Sequence, residues 1–226
     1  MARGHEPVDN ATWERRLLEG VSRLEVGVEL PTEWARACAR YKDELLRWNT
    51  RVNLTAITSP EEVAEKHFLD SVAVLPEVAG ARSLLDVGAG AGFPGLPLKL
   101  AVQGLDVTLV DAVAKKVGFL KHVAAQLQLS GVRAVHGRAE GRREAEGLPA
   151  VERVIARAFT DLESWLALAP AYLAEGGRVV AMLGRAPPRR EVEGAAARHG
   201  LRLVTERRYV LPSRGDPRAV AVFERA

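Results

Sequence analysis

The residues with the most chemical content lie close together. In Leu84-Leu85-Asp86-Val87-Gly88-Ala89-Gly90-Ala91-Gly92, a short apolar run reaches an acid two residues before three alternating glycines. A strand that turns through glycines into a helix lets backbone N–H groups approach a nucleotide-like ligand. The dinucleotide fingerprint G-x-G-x-x-G needs a small residue at position 93, and the chain has Phe93 there. Phosphate binding is therefore disfavoured. The arrangement suits S-adenosylmethionine instead, with Asp86 near its ammonium group and Gly88, Gly90 and Gly92 letting thioether and ribose lie against the backbone. Ala89, between the glycines, and Phe93, just after them, belong to the same expected cofactor site. Glycines at this spacing also serve tight turns, so the loop alone does not decide.

A second acid strengthens the reading. Asp111 closes the run Thr108-Leu109-Val110-Asp111, roughly 20 residues past the loop, where a carboxylate can accept hydrogen bonds from both ribose hydroxyls. An acid at a strand end can equally cap the next helix. Gly137-Arg138-Ala139-Glu140 follows a third apolar run, at the height of the adenine ring, so backbone groups of Ala139 and Glu140 are placed to read its edge; the plain alternative is a polar loop. The fourth run ends in Ile155-Ala156-Arg157-Ala158-Phe159. Arg157 and Phe159 thus emerge beside the cofactor, where a guanidinium can grip guanine O6 and N7 or a phosphate and a phenyl ring can stack on a base. Phe159 reads equally well as core.

These residues need a sheet to carry them. From about Ala11 to Leu75 the pattern is helical instead: Trp13, Leu17, Val21 and Leu24 form one stripe, and Trp34, Cys38, Tyr41, Leu45 and Trp48 another. Pro31 and Thr32 sit where the second helix would start. Breaks fall at Asn53-Leu54-Thr55 and at Thr58-Ser59-Pro60, with Ser59 placed to cap a helix beginning at Pro60. After Pro76 short apolar runs alternate with helical ones. Strands are expected at Ser83 to Gly88, Asp106 to Asp111, Arg133 to His136, Arg153 to Ala156, Arg178 to Leu183, Arg202 to Val210 and Ala219 to Phe223. A further helix is expected from Val192 to His199, and the charged stretch Gly141 to Pro149 reads as a solvated loop. Only Leu211 to Arg218 separate the last two strands, too few for a crossover, so they should pair antiparallel. The expected fold is α/β: the Rossmann-like class I S-adenosylmethionine methyltransferase fold, a mostly parallel seven-stranded sheet with an antiparallel last strand. Residues 1–75 would form an N-terminal helical extension and residues 76–226 the cofactor-binding domain.

Composition sets the outer limits. The 226 residues, 47% hydrophobic and 27% charged, suffice for one core with an appendage. No apolar run approaches the roughly 18 to 20 residues that span a bilayer, and the first residues lack the apolar stretch of a secretory signal; a cytoplasmic protein is expected. Cys38 is the single cysteine, and His5, His67, His122, His136 and His199 are scattered, so no metal is expected. The formal charge of +3 suits a polyanion without requiring one. Of the 32 basic residues 26 are arginine, but a chain equally heavy in Ala, Gly and Val also fits a GC-rich genome, so charge alone decides nothing.

Six stretches together resemble one family, the bacterial 16S ribosomal RNA guanine-N7 methyltransferases called RsmG or GidB. They are Trp48-Asn49 with Asn53-Leu54-Thr55; His67-Phe68-Leu69-Asp70-Ser71; Leu85 through Pro97 with its Gly92-Phe93-Pro94-Gly95 extension; Val110-Asp111 with Lys115-Lys116; Gly137 to Glu140; and Ala156-Arg157-Ala158-Phe159. The resemblance implies cofactor contacts at the glycine loop, Asp111, Ala139-Glu140 and Arg157, and a substrate in 16S ribosomal RNA or the small ribosomal subunit; separately, a monomer is expected. It also puts Asn49, Asn53 and His67 on the substrate side, although His67 by itself reads as a capping or core histidine. Two stretches depart from the family pattern. Its usual lysine before the glycine ending the fifth strand is replaced in Met182-Leu183-Gly184, and its usual Gly-Glu-Arg-His stretch becomes Gly215-Asp216-Pro217-Arg218. Arg185 or Arg218 can supply the missing cation.

Guanine N7 carries a free lone pair, so methyl transfer to it needs orientation and no general base. Arg157 is then an orienting residue, holding a phosphate, guanine O6 or the cofactor carboxylate. Two other readings share these motifs: a methyltransferase of the same fold acting on another substrate, and a catalytically silent RNA-binding ribosome-assembly protein.

Overall fold

The computed structural model describes residues 9–157, 161–185, 187–213 and 215–226. Helix α1 (Asn10–Leu24) begins where the Asp9 carboxylate accepts the Thr12 N–H at 3.0 Å, and it buries Trp13, Leu17, Gly20 and Leu24 on one stripe. Helix α2 (Trp34–Asn49) buries Trp34, Cys38, Tyr41 and Leu45. It starts after the expected Pro31–Thr32, because Pro31 first forms a turn whose carbonyl accepts the Trp34 N–H at 2.9 Å.

The third helical run is compound. Ser59 caps α3 (Pro60–Val63) as expected, its hydroxyl accepting the Glu62 N–H at 3.1 Å. The chain then widens into a π-helix (Ala64–Leu69) before α4 (Asp70–Val72) and α5 (Leu75–Val78). Residues 67–75 are buried without a break. A surface helix would show a polar stripe every turn; this run has no exposed stripe.

The strands β1 (Ser83–Val87), β2 (Asp106–Asp111), β3 (Val132–His136), β4 (Val151–Arg157), β5 (Leu173–Leu183), β6 (Leu201–Val210) and β7 (Pro217–Arg225) form one seven-stranded sheet in the order β3-β2-β1-β4-β5-β7-β6. Neighbours from β3 to β5 are parallel, and β7 runs antiparallel to both β5 and β6. The fold class is therefore the expected one, with β7 slotted between β5 and β6. Helices α6 (Gly95–Ala101), α7 (Ala114–Gln126), α8 (Leu162–Leu168) and α9 (Arg189–Arg198) complete the layers. Strand alternation sorts the core. Leu84 points into a cluster with Trp13, Tyr41 and Phe68 from the N-terminal helices, and Leu85 points into the opposite cluster with Trp165, Tyr172 and Phe223. The expected solvated loop at Gly141 to Pro149 is more tightly held than its charge suggests. Leu148 is buried, and the Gly141 N–H donates to the Tyr172 hydroxyl at 2.8 Å.

Strand order reverses at β1, whose neighbours are β2 and β4. Connections leave its carboxyl end on both sides, which opens a crevice there.

Trp13 ties α1 to the rest. Its indole N–H donates to the Pro60 carbonyl at 2.8 Å, and its ring meets Phe68 edge-on at 5.5 Å. Trp13→Ala should cost about 3–5 kcal/mol of folding stability, read from the urea midpoint; a loss under about 1 kcal/mol would mean that α1 is not part of the cooperative core.

Candidate active site

The turn from β1 into α6 is a loop whose glycine amides already have partners. Gly88 and Ala89 N–H groups donate to the Val110 carbonyl (2.9 and 3.1 Å), Gly92 and Phe93 to Ala89 O (2.7 and 3.1 Å), and Gly90 to Asp111 Oδ2 (2.9 Å). A phosphate-binding loop presents free N–H groups to its ligand. Here the glycine amides are used inside the protein, which is in line with phosphate being disfavoured. Gly88 and Gly90 adopt φ of 72° and 59°, and a Cβ at Gly88 would meet nothing within 4 Å. Gly92 is constrained differently, because a Cβ there would strike the Tyr41 hydroxyl and Leu96.

Asp86 lies beneath this loop. It is fully buried and does not line the crevice; its Oδ2 accepts the Gly95 N–H at 2.8 Å, and its buried Oδ1 has no partner among the described residues. Burial pushes its carboxyl up to about 7, with Asp111 adding to the shift and the Gly95 N–H and Arg157 opposing it. Asp111, the last residue of β2, is engaged from two sides. Its Oδ1 accepts the Val113 N–H at 2.8 Å ahead of α7, its Oδ2 holds Gly90, and it still borders open space.

Two cavities meet at Gly88. The smaller, about 240 Å³, runs between Asp111 and the backbone of Gly137, Ala139 and Glu140. The Glu140 N–H within it is already taken by Glu146 Oε1 at 2.9 Å. The larger, about 470 Å³, has the glycine loop as its floor and Thr55, Lys66, His67, Asp70, Arg157, Tyr209 and Arg218 among its walls.

Phe93 closes the floor of the larger cavity. Its ring lies between Tyr41 (5.1 Å, interplanar 4°) and His67 (4.4 Å, 10°). Arg157 reaches over it, donating from Nη1 to the Lys66 carbonyl (2.7 Å) and from Nη2 toward His67 Nδ1 (3.2 Å). A guanidinium only donates, so Nδ1 accepts and the imidazole proton sits on Nε2, which donates to Thr55 Oγ1 at 3.0 Å. Burial and the adjacent Arg157 hold His67 down to about 3, so it is neutral. It has no lone pair free to take a proton.

The remaining expected residues are spread around this centre. Asn49 clamps the 49–55 loop, accepting the Leu54 and Thr55 N–H groups at 2.8 and 3.0 Å and donating to Thr55 O at 2.9 Å. Asn53 is exposed on that loop and outside the cavity lining. Arg185 borders an adjoining cavity of about 330 Å³ together with Arg208 and Arg218. Phe159 lies outside the described residues. Asp70, Lys66 and Tyr209 went unassigned. The His67–Ser71 stretch signals Asp70 only as part of a motif, and nothing in the spacing signals the other two.

This geometry fits S-adenosylmethionine. The floor at Gly88 and Gly90 is bare backbone that any side chain would fill, Asp111 borders the smaller cavity, and the larger cavity continues from it at Gly88. A family model for rRNA small subunit methyltransferase G matches residues 35–211. The chain belongs to that family. It is 59% identical over 216 residues to a ribosomal RNA small subunit methyltransferase G from Myxococcus xanthus, covering 96% of this chain and 99% of that one. An Anaeromyxobacter dehalogenans protein of the same name is 49% identical over 217 residues, again covering 96% and 99%. Among solved structures, a ribosomal protein L11 methylase from Lactobacillus delbrueckii subsp. bulgaricus superposes with a TM-score of 0.54 at 14% identity, covering 71% of this chain and 78% of that one. M. jannaschii TYW2 in complex with AdoMet gives 0.51 at 17% identity, covering 64% and 69%. The expected fold and the expected methyltransferase family both hold. Among the described residues no helix is long and apolar enough to cross a membrane, and no three His, Cys, Asp or Glu side chains are grouped to hold a metal ion.

The buried acid makes a pH-dependent prediction. With its folded pKa raised from 3.8 to about 7, Asp86 lends stability that is fully present below about 3.8 and lost as pH rises through 7. Asp86→Asn removes that titration. The melting temperature of the ligand-free variant should exceed that of the parent at pH 8, with the margin shrinking toward pH 5; a margin independent of pH would show that Asp86 is not the titrating group.

Proposed function

We propose that this chain transfers a methyl group from S-adenosylmethionine to N7 of a guanine in 16S ribosomal RNA, acting as a cytoplasmic monomer on the RNA or the small subunit. The observation that carries this reading is a cationic cleft in which, among the described residues, neither His67 nor Asp70 is a free base, Asp70 being held by Arg157, Arg218 and the Tyr209 hydroxyl. Lys66, Arg157 and Arg218 line it, and both nitrogens of His67 are occupied. That chemistry suits an acceptor that arrives with its lone pair free. The cofactor supplies an electrophilic methyl on a sulfonium, and the chain's task is alignment.

Gly88, Ala89, Gly90, Gly92 and Phe93 give the methyl donor its floor, and Asp111 offers its remaining lone pairs to the ribose. The backbone at Ala139 reads the adenine edge, because the Glu140 N–H is engaged by Glu146. Asp86 acts from below, holding the start of α6 through Gly95. Arg157 orients: it locks His67 against Phe93 and turns its exposed edge toward the cofactor carboxylate or the guanine. Residues 1–75 shape the substrate side of the domain formed by residues 76–226, with Asn49 setting the loop that carries Asn53. Arg185 and Arg218 contact RNA phosphates.

The test is to incubate the protein with labelled S-adenosylmethionine and either small subunits or naked 16S RNA from cells lacking this activity, then cleave at N7-methylguanine. Label at one guanine N7 is expected. Label confined to protein or small molecules would overturn the RNA assignment, and cofactor binding with no transfer would favour a silent assembly factor. Arg185→Ala should raise KM for RNA, lower the slope of log affinity against log salt by about one, and leave cofactor affinity unchanged; an unchanged slope would remove Arg185 from the RNA contact surface.

A further inference from the structure

Methyl transfer to guanine N7 moves a positive charge from sulfur to the purine, within a cleft that already holds cations. Among the described residues lining it, Asp70 is the one carboxylate, set against Lys66, Arg157 and Arg218. It is 5% exposed. Oδ2 faces Arg157 Nη1 at 3.5 Å, Oδ1 faces Arg218 Nε at 3.5 Å, and Oδ1 also accepts the Tyr209 hydroxyl at 2.9 Å. It therefore joins three segments beside the crevice: the start of α4, the end of β4 and the β6–β7 pair.

Lys66 is partly offset by Glu62, at 2.9 Å. The two arginines share Asp70. Without it, among the described residues Arg157 would lose its carboxylate contact and Arg218 would keep only Asp216, at 4.0 Å and outside the cavity lining, to set against a sulfonium entering the cleft and a purine turning cationic. We infer that Asp70 is a positioning residue that draws Arg157 and Arg218 together and balances their charge, so that the cleft accepts the cation carried through the reaction. The inference rests on the cofactor reading above and adds a role for a residue outside it. The bond formed is N7 to methyl carbon and the bond broken is sulfur to methyl carbon, its electron pair returning to sulfur. No proton moves, so a carboxylate here acts through its field and through the arginines it holds.

Equilibrium binding separates this role from a merely structural one, because S-adenosylmethionine is a sulfonium and S-adenosylhomocysteine, of nearly the same shape, is neutral at sulfur. By calorimetry, Asp70→Asn should weaken S-adenosylmethionine binding on the order of tenfold and S-adenosylhomocysteine binding much less. In turnover kcat should fall more than KM for RNA rises, and Asp70→Glu should recover part of the loss. Arg218→Ala should move the ratio of the two affinities the opposite way, and it carries the test if Asp70→Asn does not fold. Equal weakening of both ligands, or Arg218→Ala shifting the ratio in the same direction as Asp70→Asn, would overturn the inference. A parent protein that binds neither ligand would instead sink the cofactor reading on which it rests.

Discussion

Asp86 on β1 and Asp111 on β2 grip opposite ends of one short turn, the first through Gly95 N–H and the second through Gly90 N–H. A loop of bare backbone has no side chains to pack and the largest conformational freedom to lose. Something outside it must hold it. Hydrogen bonds from backbone amides to buried carboxyl oxygens do this. They also disfavour phosphate there, because the Gly90 and Gly95 donors are spent on the loop's own geometry. Everything that faces the crevice is placed relative to this turn.

The N-terminal helices meet the turn through aromatic rings. Tyr41 of α2, Phe93 after the loop and His67 of the π-helix stack in sequence, with Phe68 edge-on to both Tyr41 and Phe93. Such pairs contribute about 0.5–1.5 kcal/mol each beyond the area they bury. The stack registers a helical layer and a sheet edge against each other, and Arg157 bolts the same junction from β4. His67 consequently plays two parts at once. It is a core histidine by burial and charge state, and it is a wall of the cleft by position.

The parallel strands and their crossover helices were legible because a doubly covered sheet imposes dense apolar runs at regular intervals. The glycine turn was legible because the spacing of Asp86, Gly88, Gly90 and Gly92 has a physical reason. Three features were not. The π-helix at Ala64–Leu69 depends on burial from several sides, which no local repeat encodes. The place of β7 between β5 and β6 cannot be told from a hairpin at the sheet edge, since both show the same two strands and short connection. Asp70, Lys66 and Tyr209 become cleft residues only once segments far apart in the chain converge. Asp86 is the instructive intermediate case: the acid was found, but its type could not say that it faces downward into the loop's support.

The position of β7 also has a consequence for how the molecule is made. Synthesis delivers β6 before β7, yet in the finished sheet β6 pairs only with β7. Until β7 emerges from the ribosome, β5 keeps an open edge and β6 has no strand to pair with. Arg218, at the start of β7, arrives at Asp70 in the same event. Closing the sheet and completing the cleft wall are therefore one step, and a nascent chain lacking that strand holds an unfinished site.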